Sequence, residues 1–149
     1  MAIREELTNK HYSLNQRLKL FDLIVSATML CGTAAWTLTK SLETHVQRTQ
    51  RKMLRMMLNY PRKVISKTSE GVQLEPWVDW IKRTTYAAED RLAGLRLRDW
   101  VESHHDAKRK WHKQLAEGPS NNWAYWAYHW TPAGKRKVGS PKKRWSDEI

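Results

Sequence analysis

Cysteine is almost missing from this chain, with Cys31 the single thiol. That excludes an internal disulfide and any zinc site built from several thiolates, and makes a reducing compartment the natural home. Cys31 itself is expected in the core. Acidic residues are also scarce, 15 against 27 Lys and Arg, and residues 45–69 contain none. No leader is expected, because "MAIREELTNK" mixes charges and lacks an apolar stretch. The one uncharged run, "LIVSATMLCGTAAWTLT" at 23–39, is borderline in length and holds Gly32 and several Ser and Thr. It reads as a buried helix followed by a turn rather than a membrane span. Catalytic patterns are lacking too: no adjacent Asp pair of the polymerase kind, no HExxH, no phosphate-binding glycine loop and no G-x-S-x-G elbow. No catalytic residue, metal ligand or cofactor is therefore assigned to this chain. His104, His105 and His112 could bring two imidazoles to one helical face, but no cysteine or well-spaced carboxylate accompanies them, so packed or exposed histidines are expected. The pairs Glu5-Glu6, Glu89-Asp90 and Asp147-Glu148 read as surface charge.

What is present is large anchors and positive charge. The 149 residues suit one domain, or one domain and a tail, and nine tryptophans with 40% apolar residues are too many anchors for a wholly disordered chain. The net charge of +12 and pI near 10 favour a polyanionic partner, with nucleic acid ahead of a membrane surface.

Periodicity organises the chain as an all-α helical bundle with a basic, partly disordered C-terminal tail. After an N-terminal extension (1–12), a first helix is expected from Ser13 to about Leu30, since Leu14, Leu18, Phe21, Val25 and Met29 repeat at helical spacing; Gly32 ends it. Thr39 offers the N-cap of a second helix reaching Leu58, stopped by Asn59 and Pro61. On this second helix Leu42, Val46, Met53 and Met57 form the apolar stripe, and Arg48, Arg51, Lys52 and Arg55 lie almost opposite. Such an acid-free cationic face predicts phosphate contact; Arg62 and Lys63 continue it. "VISKTSEGVQLEPW" reads as a connection, broken by Gly71, with Pro76 opening the next helix. Trp77, Trp80 or Ile81, Thr84, Ala88, Leu92 and Leu95 give one helical face, and Trp100, His104, Ala107, Trp111 and Leu115 another, with a bend near Gly94. These divide the chain into 13–73, a Trp-rich region at 74–131 and a tail at 132–149.

"NNWAYWAYHWTP" then gives a short helix. Asn121 or Asn122 caps it, Pro132 stops it, and Trp123, Trp126 and Trp130 fall on one face. That face is expected to pack on the region from Trp100 to Leu115 and to leave Tyr125 and Tyr128 more exposed; the competing reading is a base-stacking platform. The tail clusters Lys135, Arg136, Lys137 and Lys142, Lys143, Arg144 suit phosphate contact or nuclear import, so a nuclear location is expected.

Several stretches, in order, resemble the region after the polymerase core in reverse transcriptases of non-LTR (LINE-type) retrotransposons: "LCGTAAWTLTKSLE", "QRKMLRMML", "WVDWIKR", "NNWAYWAYHWTP" and "GSPKKRWSDEI". Cys31 and Ala34 stand where that family has Tyr and Glu, and Ser140 where it has Arg. The resemblance implies a thumb-like helical region at 13–73 gripping a template-primer duplex of RNA or DNA, followed by a C-terminal extension. It also implies a parent RNA-directed DNA polymerase, often with an endonuclease, whose fingers and palm would precede residue 1 and would hold the Mg2+. Two other classes compete: a sequence-specific helical DNA-binding module using Gln47 and Gln50, or an inert interaction fragment of a decayed element.

Overall fold

The computed structural model describes residues 3–68, 71–130, 139, 145 and 149. It is a helical bundle with one hairpin. In chain order it comprises α1 (Ile3–Thr8), α2 (Leu14–Leu20), a π-helical segment (Phe21–Ser26), α3 (Ala27–Met29), a 3-10 turn (Thr33–Ala35), α4 (Lys40–Leu58), β1 (Val64–Thr68), β2 (Gly71–Leu74), α5 (Trp77–Gly94), α6 (Trp100–Ala116) and α7 (Trp123–His129). No described helix is long and apolar enough to cross a membrane.

Local chemistry sets the helix ends. Ser13 and Gln16 form a reciprocal capping box at the start of α2. Thr39 accepts the Leu42 amide at 3.3 Å, and α4 ends where Asn59 turns left-handed at φ 49°. The expected first helix is realised from Leu14 to Met29, but its middle widens into π geometry. Because i→i+5 hydrogen bonds bring residues five apart onto one face, Phe21 and Ser26 are both buried. A uniform 3.6-residue repeat does not anticipate this, and Leu23 is left 70% exposed. Cys31, expected in the core, is exposed in the turn that follows.

One cluster of buried residues joins α1, α2, the π-helical segment, α4, α5 and α6: Leu7, Leu18, Phe21, Leu54, Met57, Leu58, Ala88 and Trp100. It draws on both sides of the expected division at residue 73, and through Leu7 it includes α1 of the N-terminal extension. Arg17 ties these ends together, donating to the carbonyls of Leu7 (3.2 Å) and Met57 (3.0 Å) in the last turns of α1 and α4, where the helix dipole favours a cation. Trp100 stacks on Phe21 at 5.8 Å and donates its indole N–H to Ser26 Oγ at 2.8 Å.

The segment expected as a mere connection is a β-hairpin. β1 and β2 pair antiparallel, Val64 with Leu74 and Ser66 with Gln73, with an irregularity between Val64 and Ser66. The expected bend near Gly94 is present, with α5 ending at Gly94 and α6 starting at Trp100. The left-handed residue is Arg96 (φ 51°) rather than Gly94, and the Leu97 amide closes the turn on Leu92 O at 3.0 Å.

Candidate nucleic-acid interface

α4 presents a different face to the core from the one its apolar residues suggest. Gln50, Leu54, Met57 and Leu58 are buried, whereas Leu42 and Met53 lie at the exposed rim. At the ~100° turned per residue, this rotates the inward face by roughly 75°. The cause is Gln50, 1% exposed. Its amide N–H donates to Arg98 O at 2.7 Å and its carbonyl accepts the Trp100 amide at 3.2 Å. With Asp99 Oδ1 accepting the amides of Val101 and Glu102, Gln50 completes the N-terminal cap of α6. Gln50 is therefore not available to base edges.

The same rotation divides the cationic residues of α4. Arg51 pairs with Glu89 of α5 at 2.7 Å, and Arg55 donates to Thr85 Oγ1 at 2.9 Å. Burial, and then its neighbour Arg51, pulls the Arg55 guanidinium below its ordinary value; it remains a cation at neutral pH. These two residues fasten α4 to α5. Arg48 and Lys52, one turn apart, point directly away from the core and have no ion-pair partner among the described residues. His45 and Met56 flank them on the exposed side.

Arg62 and Lys63 lie at the root of the hairpin. The Arg62 guanidinium donates to Glu75 O through both Nε (2.7 Å) and a terminal nitrogen. Glu75 is the hub: its carboxylate accepts Arg83 in bidentate fashion at 3.0 and 2.8 Å and the Lys63 amide at 3.2 Å. The hydrogen bond from Arg83 leads in holding the Glu75 carboxyl at about 2, well below the usual carboxylate range, against an opposing effect of burial. Arg62 thus acts first as a structural tie, and Lys63, like Lys67 of β1, keeps an exposed side chain. Lys135, Arg136, Lys137, Lys142, Lys143 and Arg144 lie outside the described residues.

Trp145 is anchored on the helices. The indole of Trp145 donates to Ala34 O at 2.6 Å, and Lys108 Nζ lies 4.9 Å from the centre of its ring. Lys108, 1% exposed, also donates to Trp36 O at 3.0 Å. Carbonyl and aromatic face together offset the cost of burying that ammonium. One turn earlier, His104 Nδ1 meets Thr33 Oγ1 at 2.9 Å and Thr33 O at 3.0 Å. His104 and Lys108 thus seat α6 on the 3-10 turn and the residue after it, while Trp100, one turn before His104, packs on the π-helical segment.

For α7 the expected packing is reversed. Asn122 caps the helix, its side chain accepting the Ala124 amide at 3.0 Å. The inward residue is Tyr128, which meets His112 edge-on at 5.5 Å and Trp145 at 6.2 Å. Trp123, Trp126 and Trp130 are 80%, 67% and 70% exposed. The tryptophans share a face as their spacing requires, but it is the outer one.

No family model, curated protein or solved structure matches the chain. Among the described residues no group of three or more His, Cys, Asp or Glu side chains could hold a metal ion. Of the candidate histidines, His104 faces Thr33, His105 approaches Glu43 at 3.5 Å, and His112 packs on Tyr128.

Proposed function

We propose that this chain is a non-catalytic nucleic-acid-binding module that grips the sugar–phosphate backbone of a template-primer duplex. In this reading it serves as the thumb and downstream region of a non-LTR retrotransposon reverse transcriptase. The observation that carries the proposal is the outward pair Arg48 and Lys52, set in the acid-free stretch 45–69 of a chain with net charge +12. A surface that must hold a sliding duplex without reading it needs cations aimed at phosphates rather than amides aimed at base edges. The burial of Gln50 speaks against the sequence-reading alternative. The contact of Trp145 with Ala34, 111 residues apart, also supports the assignment, because it joins the first and last stretches that carry the family resemblance. The partners are RNA or DNA duplex and the fingers and palm of the parent polymerase, and the tail cations direct the protein to the nucleus.

The test is equilibrium binding of the purified chain to duplex DNA and to an RNA–DNA hybrid across a salt series. Charge reversal of Arg48 and Lys52 should weaken binding equally for unrelated sequences and reduce the log–log salt slope by about 0.9 for each phosphate no longer neutralised. Unchanged affinity and slope in the double variant would sink the proposal.

A further inference from the structure

The outward tryptophans of α7 are not used by the backbone grip. Trp126 and Trp130, with Tyr125, His129, Ala127 and Ser120, line an open cleft of about 420 Å³, and the Trp126 indole N–H donates to Ser120 O, fixing that ring in place. Tyr125 and His129 pack together at 4.3 Å and support the cleft from one side. Trp123 continues the face one turn earlier. Rings three and four residues apart recur every ~4.5 to 6 Å along a helix axis. A single strand drawn out beyond its ~3.4 Å stacked repeat can present successive bases to them.

Charge favours the occupant. Residues 107–149 carry ten Lys and Arg against three acidic residues, more than half of the net +12. A second copy of this chain would bring two strongly cationic molecules together against their mutual repulsion, whereas a polyanion is attracted. Exposed aromatic rings in a chain of high positive charge are how sequence-tolerant single-strand sites are built, because every base has a π-face to stack. We propose that the Trp123–Trp126–Trp130 face of α7 is a stacking site for the unpaired bases of single-stranded nucleic acid, distinct from the duplex grip of α4. It rests on the nucleic-acid reading above and adds a second class of substrate to it.

The experiment compares wild type, W123A/W130A and R48E/K52E by fluorescence anisotropy with labelled oligothymidylate and with a duplex, across a salt series. Circular dichroism checks the fold, and the substituted rings are exposed. W123A/W130A should bind oligothymidylate at least about 25-fold more weakly, about 5-fold or more per ring. It should keep duplex affinity and the wild-type salt slope, since every phosphate-facing cation is retained. Wild-type affinity for oligothymidylate in that variant, or no binding of it by wild type, overturns the stacking site. So does a dimer in sedimentation that W123A/W130A dissolves without changing strand affinity, which would assign the face to self-association. The backbone grip is read separately: it fails if R48E/K52E leaves duplex affinity unchanged, whatever the tryptophan variant does.

Discussion

Replacing Gln50 by Met separates a structural amide from a base-reading one. The side chain is 1% exposed and serves two backbone groups, Arg98 O and the Trp100 amide. Met fills similar space but offers neither a comparable donor nor a comparable acceptor. The Trp100 amide opens α6, and Asp99 is already occupied with the next two amides, so no neighbouring side chain takes over. Leaving two buried polar groups unsatisfied costs about 2–5 kcal/mol, of which burial of the Met stem returns roughly 1 kcal/mol. The net expectation is a loss of about 1–4 kcal/mol, read in urea denaturation as a lower midpoint at unchanged m-value. Gln47→Met, at a half-buried position on the same helix, should stay within about 0.5 kcal/mol of wild type. A Gln50→Met chain that keeps the wild-type midpoint and loses discrimination between DNA sequences would refute the reasoning and restore the sequence-reading alternative.

Three further outcomes are expected. Because the Glu75 pKa is depressed to about 2, its contribution is complete above the ordinary glutamate value and is lost as pH falls toward 2. The midpoint difference between wild type and Glu75→Gln should therefore be full at pH 7 and shrink from about pH 4.5 downward, and a difference that grows in acid would show that the carboxylate is not the stabilising form. Arg96→Gly removes a left-handed non-glycine residue and should stabilise by about 0.5–1 kcal/mol in urea titration, with a loss counting against the φ of 51°. Trp145→Ala, which deletes the ring beside Lys108 and the bond to Ala34, should cost about 1–3 kcal/mol, and an unchanged midpoint would mean that Trp145 is not docked.

Helix ends were legible in the sequence because they depend on neighbours in the chain. Ser13 with Gln16, Thr39, the Asn59–Pro61 stop and Asn122 all act where residue chemistry alone places them. Features that depend on distant partners were not. Gln50 belongs to the core only because Arg98 and Trp100 lie opposite, so a pattern of apolar residues chose Leu42 and Met53 in its place. Arg51 looked uncompensated because Glu89 is on another helix. The hairpin had a usable signal in β-branched Val64, Ile65 and Thr68, then Gly71 three residues beyond and Val72. It was obscured because both faces are largely exposed and no apolar-polar alternation marks an inward side.

The tryptophan helix shows how far periodicity can take a functional reading. Spacing places residues on a common face but does not say which way that face points, and a helix of seven residues has two aromatic faces to choose between. The choice fell to shape at the contact: α6 offers His112 backed by Trp145, a site that Tyr128 meets edge-on. Three indoles of 150–250 Å² each, exposed to 67–80%, leave roughly 300–600 Å² of aromatic surface in water, as large as the largest apolar patch on a typical monomer. Burying all of it would contribute roughly 8–15 kcal/mol at about 25 cal/mol per Å², and α7 forgoes that gain within its own fold. An exposed, multi-ring surface in a stretch of sequence rich in lysine and arginine has the properties a stacked base requires. The exposure that overturned the core reading is therefore the observation that makes the single-strand site worth testing.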